Sequence, residues 1–128
     1  MQRRQVFLAS VLAGLVMFGQ GCMVAAVGAG AAGTVAYLKG DLEAVESKNI
    51  DTVYRATKAA LNEMGLKVTK DSKDTLGAEI VARDAGDKKI TIKLKTTAEN
   101  TTKLSIRVGM FGDETKSRLI YDRIREKL

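Results

Sequence analysis

The chain offers few side chains capable of covalent chemistry. It has one cysteine, Cys22, and no histidine. Without histidine there is no Ser-His-Asp triad, no Cys-His pair and no imidazole ligand for a metal. Without a second cysteine there is no intramolecular disulfide and no multi-cysteine zinc or iron–sulfur site. A carboxylate-only cation site needs a ligand loop such as D-x-[DN]-x-[DN]-G, and none is present. Asp113 and Glu114 are the nearest thing to an acid/base pair. Neighbours in one helical turn point in different directions, and no nucleophile stands with them. The stretch Gly28-Ala29-Gly30-Ala31-Ala32-Gly33 matches G-x-G-x-x-G. It lacks the preceding strand and the parallel βαβ unit that a dinucleotide site requires. These residues predict no enzyme, no cofactor and no metal. Two features remain. One is the lone thiol of Cys22. The other is a basic set formed by Lys89, Lys93, Lys95, Lys103 and Arg107.

The thiol is set in an unusual distribution of charge. The 128 residues carry 21 Lys+Arg against 15 Asp+Glu, a net +6, yet none of the charges falls between Gln5 and Leu38. Arg3 and Arg4 form a short positive start, Val6 to Phe18 is dominated by apolar types, and Gly19, Gly21 and Cys22 follow. This order resembles a bacterial lipoprotein signal. The resemblance implies a lipid on the Cys22 thiol, cleavage before Cys22 and acylation of the new N-terminus. The departure is Gly19, where such signals usually carry a larger aliphatic residue. The alternative is an uncleaved single-span anchor with a free Cys22, since the apolar run exceeds the ~20 residues a span needs. In either case Arg3 and Arg4 hold the N-terminus inside and the rest of the chain faces the periplasm. Met23 rather than Asp after the cysteine favours the outer membrane.

The segment after Cys22 repeats small residues at every fourth position: Ala25, Ala29, Gly33 and Ala26, Gly30, Thr34. That pattern lets helices approach closely in a bilayer, and it serves equally as a flexible tether. The sequence therefore divides into a signal peptide (1–21), a lipidated cysteine with a Gly/Ala-rich tether or membrane-inserted segment (22–40), and a charged module (41–128).

Within the module, Asn49 or Asp51 caps a helix whose apolar face is Ile50, Val53, Thr57, Leu61 and Met64, ended by Gly65. The period then changes to two. Four strands follow, marked by Leu66 and Val68; by Ala78, Ile80 and Ala82; by Ile90, Ile92 and Leu94; and by Leu104, Ile106 and Val108. Turns fall at 71–74, 84–87 and 97–101. Gly109 and Gly112 break the last strand, and Asp113 caps a final helix with Ile120, Ile124 and Leu128 along one stripe. Residues 41–48 extend the first helix or link it to the tether. The predicted fold is α+β: a four-stranded antiparallel sheet of order α-β-β-β-β-α, with both helices on one face and the other face wet.

The whole is similar to a family of small bacterial lipoproteins whose domain has no assigned function. The likeness rests on Gly21-Cys22, on the Gly/Ala run into Tyr37-Leu38-Lys39-Gly40-Asp41-Leu42-Glu43-Ala44, and on Leu66-Lys67-Val68-Thr69. Glu79-Ile80-Val81-Ala82-Arg83 and Ile90-Thr91-Ile92-Lys93-Leu94-Lys95 add to it. Most distinctive is Ser105-Ile106-Arg107-Val108-Gly109-Met110-Phe111-Gly112-Asp113-Glu114. The resemblance implies a lipid anchor, an envelope location and an α/β domain, with no activity to carry over.

If the last two strands pair, Lys89, Lys93, Lys95, Lys103 and Arg107 share the wet face, with Arg83 and Glu79 nearby. Such a face suits anionic lipid head groups or an acidic envelope protein. The same side chains also serve simply as a solvated surface that deters edge aggregation. Nucleic acid is not expected, because no aromatic residues interleave with the lysines to stack bases. The sequence thus predicts a membrane-anchored, non-enzymatic binding or structural module of the cell envelope.

Overall fold

The computed structural model describes residues 35–128. The predicted signal, Cys22 and the small-residue repeat lie outside the described residues. Among the described residues no helix is long and apolar enough to cross a membrane.

Six strands and two helices follow in the order β1 (Val35–Leu38), β2 (Asp41–Glu46), α1 (Ile50–Glu63), β3 (Lys67–Lys73), β4 (Gly77–Arg83), β5 (Lys89–Ala98), β6 (Thr101–Val108) and α2 (Glu114–Glu126). The strands form one sheet of order β1-β2-β6-β5-β4-β3, with every neighbouring pair antiparallel. The expectation of a four-stranded sheet is therefore overturned, although the fold remains α+β. The two additional strands lie in residues 35–46, where the sequence pattern predicts tether, helix extension or linker. Two local facts make this segment a hairpin. Lys39 and Gly40 both take positive φ, 52° and 87°, as a two-residue type I′ turn demands. After the turn, Leu42, Ala44 and Glu46 are buried while Asp41, Glu43 and Val45 are not. This is period two, the strand pattern.

The other elements start and stop where the sequence placed them, to within a few residues. The Asn49 side chain accepts from Thr52 N at 2.9 Å, and Asp113 accepts from Lys116 N at 3.0 Å, satisfying N–H groups that a helix start leaves open. β3 runs further than expected. Its turn begins at Asp74, whose carboxylate accepts from Leu76 N and Gly77 N, both at 2.8 Å. β5 and β6 close on a tight turn at Asn100, with φ 52°.

Both helices lie on one face, and the register lines up aliphatic rows beneath them. Leu42, Ile106, Ile92 and Ile80 face one another in sequence across β2, β6, β5 and β4. They are fully buried with Val53 and Leu61 of α1 and Ile120 and Ile124 of α2. One polar pair is enclosed as well. The Tyr121 hydroxyl donates to the Glu46 carboxylate, and both residues are buried. Burial, followed by this hydrogen bond, pushes the Tyr121 phenol well above its usual range, so it stays protonated and remains a donor at any physiological pH.

β3 is exposed along its whole length, so packing alone does not hold it. A bulge between Val68 and Lys70 shifts the alternation and sets Asp71 opposite Ile80, on the helix side. There the Asp71 carboxylate accepts from the Tyr54 hydroxyl and from Lys58 Nζ of α1, each at 2.6 Å. Lys73 reaches Asp51 at 2.7 Å.

These ion pairs hold several carboxyls below their ordinary range. Asp71 is lowered by Lys58 and then Tyr54, Asp51 by Lys73, Asp84 by Lys116, and Glu63 by Lys127. A carboxyl with a depressed folded-state pKa takes up protons more readily when unfolded. Its contribution is complete above the unfolded pKa and is lost as pH falls through the folded one. The melting temperature should therefore be flat from neutral pH down to about 5 and should fall below about 4. A thermal-unfolding series across that range checks this, and a melting temperature that rises on acidification contradicts it.

Candidate functional site

The second face of the sheet is free of helices. Alternation brings Asp41 and Glu43 of β2, Lys103, Ser105 and Arg107 of β6, and Lys89, Thr91, Lys93 and Lys95 of β5 to it. Glu79, Val81 and Arg83 of β4 join them. β5 and β6 do pair, and all five residues of the basic set share this surface. Thr91 stands opposite Arg107, Lys93 opposite Ser105, and Lys95 opposite Lys103. A shallow hollow of about 320 Å³ sits at its centre, with Lys89, Lys93, Arg107, Ser105, Asp41 and Glu79 among its walls.

The face is less basic than the five cations suggest, because β2 brings carboxylates to it. Asp41 bonds Arg107 Nη1 at 2.9 Å, and Glu43 approaches Lys103 Nζ at 3.3 Å. Glu79 accepts from Lys70 Nζ at 2.7 Å. That contact, with smaller contributions from Lys93 and Lys89, holds the Glu79 carboxyl below its ordinary value. Among the described residues, Lys89, Lys93 and Lys95 have no ion-pair partner. The face thus divides into a paired side along β2 and β6 and an unpaired strip along β5. The sequence pattern alone does not place Asp41 and Glu43 on this face. The signal for them was the alternation in Asp41-Leu42-Glu43-Ala44-Val45-Glu46, which becomes meaningful once Lys39-Gly40 is taken as a hairpin turn.

Arg107 has a structural task. Besides Asp41, its guanidinium donates to the Lys39 carbonyl at 3.3 Å and to the Met110 carbonyl at 3.0 and 3.3 Å. It therefore ties the β1–β2 turn to the loop leaving β6. The two loops meet backbone to backbone. A Cβ on Gly112 (φ 85°) would stand 2.4 Å from the Gly40 carbonyl oxygen, and one on Gly40 would stand 2.7 Å from the Phe111 oxygen. Neither position admits a side chain. The Arg-Val-Gly-Met-Phe-Gly-Asp-Glu stretch is thus a corner: a clamp, two glycines at positive φ, and a helix cap at Asp113. With Asp113 occupying the N-terminus of α2, that end does not offer an open anion site.

Cys22 lies outside the described residues. Among the described residues no group of three or more His, Cys, Asp or Glu side chains is placed to hold a metal ion.

A family model described as a protein of unknown function, DUF3568, matches residues 5–127. The match runs from the charge-free N-terminal run through α2. No curated protein matches the chain.

The two kinds of cation on the face should separate by mutation. Arg107→Ala removes hydrogen bonds that join two loops and should cost about 1–2 kcal/mol. Lys93→Ala touches no partner and should stay within about 0.5 kcal/mol. Thermal or denaturant unfolding of the two variants distinguishes them, and equal stabilities would remove the structural role assigned to Arg107.

Proposed function

The chain belongs to the DUF3568 family, whose function is unknown, and we propose that it is a non-enzymatic bacterial envelope lipoprotein that binds an anionic partner. Cys22 carries the lipid, and the residues between Cys22 and Val35 form the tether. The sheet-and-helix module faces the periplasm from the outer membrane. Its open sheet face takes carboxylate or phosphate groups, presented by an acidic envelope protein or by lipid head groups.

One observation carries the binding reading. Lys95 and Lys103 stand directly opposite each other on adjacent strands. Like charges in that position destabilise a sheet. Glu43 reaches only Lys103, and Lys93 and Lys89 continue the row along β5, where the one carboxylate facing them, Glu79, is already bonded by Lys70. A sheet that holds such a strip on a face no helix covers gains when an anion arrives. The anchor is supported by the sequence: a lone cysteine directly after a positively started apolar run. A lipid with several acyl chains suffices for stable attachment.

The two halves are tested separately. Radiolabelled fatty acid should enter the wild-type chain and not Cys22→Ser. Equal labelling of both, or of neither, returns the chain to an uncleaved single-span anchor. For the face, a photocrosslinking residue at Thr91 in the full-length chain should capture an acidic envelope protein or a phospholipid in living cells. The double change Lys93→Glu with Lys95→Glu should lower the yield roughly tenfold. Capture that is indifferent to the charge reversal overturns the binding reading.

A further inference from the structure

The geometry points to a second membrane contact: the Met110–Phe111 turn enters the interfacial layer of the bilayer that anchors the chain. This rests on the membrane-anchored reading above, but not on the sheet-face reading.

Met110 and Phe111 are adjacent large apolar residues with 79% and 86% of their surface exposed. Leu38, at the end of β1 and at the same end of the sheet, is 58% exposed. Exposed leucines elsewhere, such as Leu76 and Leu119, stand singly, as is ordinary on protein surfaces. The turn is not loose. Arg107 holds the Met110 carbonyl, Gly109 N donates to the Lys89 carbonyl at 2.7 Å, and Gly112 is wedged against Gly40. The turn is thus held at Gly109, Met110 and Gly112, and the two side chains project from a braced platform. Little ordering remains to be done when they are buried.

The surroundings fit the boundary between head groups and acyl chains. A hollow of about 650 Å³ beside the turn is lined by Lys88, Lys89, Gly109 and Met110, and the Lys88 methylenes lie along Gly109. Among the described residues Lys39 and Lys89 have no ion-pair partner, and Lys88 has only a distant one, Asp113 at 3.9 Å. Of the other acidic groups at this end, Asp84 is taken by Lys116 and Asp87 lies near Arg83. An apolar tip with free lysines behind it is the pattern of an interfacial anchor, in which lysines meet phosphates while the apolar side chains sit some 5–10 Å deep.

The occupant follows from where the chain enters the fold. The charge-free run leads directly into β1 at Val35. From Cys22 to Val35 a fully extended chain reaches at most ~45 Å. β1 then carries it to Leu38 at about 3.3 Å per residue. The bilayer surface is therefore never more than a few nanometres from the tip, and the second contact forms at high effective concentration.

The chain has no tryptophan, so Phe111→Trp places a single reporter at the tip. The full-length variant, purified from membranes, is reconstituted into phosphatidylethanolamine/phosphatidylglycerol vesicles with or without brominated acyl chains. Leu119→Trp on α2 is the control, and Met110→Trp replaces the first variant if that one melts early. The tip reporter should emit at shorter wavelength and lose at least about half its intensity to bromine, as a group at interfacial depth does, while the control loses little. A chain that sediments with the vesicles but shows equal, weak quenching at both positions overturns the tip contact and leaves the anchor standing. A chain that stays in the supernatant overturns both. A blue shift that grows with protein concentration and ignores bromine assigns the tip to a second copy of the chain and also overturns the proposal.

Discussion

The guanidinium of Arg107 is the contact on which the arrangement of this sheet end depends. It gathers the Lys39 carbonyl, the Asp41 carboxylate and the Met110 carbonyl onto one planar group. Arginine suits the task because its fork of donors is rigid and its charge permanent. By tying the first hairpin to the loop after β6, it fixes the corner where Gly40 and Gly112 meet. Only two glycines can approach that closely, and the close approach leaves the Met110 and Phe111 side chains pointing away. A cation that looked free for a ligand is in fact committed, and that commitment shapes what the corner presents to its surroundings.

The same hairpin changes the electrostatics of the open face. Without β2 the surface is a field of lysines. With it, Asp41 and Glu43 neutralise the β6 side, and the unpaired charge contracts to Lys89, Lys93 and Lys95 on β5. Exposed pairs of this kind contribute little to stability, but they decide where an anion finds cations that are not already occupied.

The far edge of the sheet is managed differently. β3 carries Lys67, Lys70 and Lys73 and a bulge, the usual defences of an exposed edge against pairing with another chain. The bulge also turns Asp71 toward α1, where Tyr54 and Lys58 receive it. One irregularity therefore protects the edge and fastens an otherwise unpacked strand to the body of the fold.

Much of this was legible in the order of the residues. The period of 3.6 in Ile50–Met64, the period of two through Ile90–Leu94 and Leu104–Val108, and the caps Asn49 and Asp113 are local properties. Each follows from which side chains can share a face or satisfy an open N–H, and each was placed to within a few residues. The shared surface of Lys89, Lys93, Lys95, Lys103 and Arg107 followed too, because alternation and a single antiparallel pairing suffice for it. Asp41-Leu42-Glu43-Ala44-Val45-Glu46 was obscure because it is short, is rich in helix-forming residues and buries only Leu42, Ala44 and a Glu whose partner, Tyr121, is distant in sequence. Sequence alone determined the two helices, the four strands from Lys67 to Val108 and the candidate cations, but not the first hairpin. Tertiary structure decided which of those cations are paired, why Gly40 and Gly112 must be glycine, and which apolar residues face outward. Those outcomes depend on contacts between segments tens of residues apart, and no local period records them.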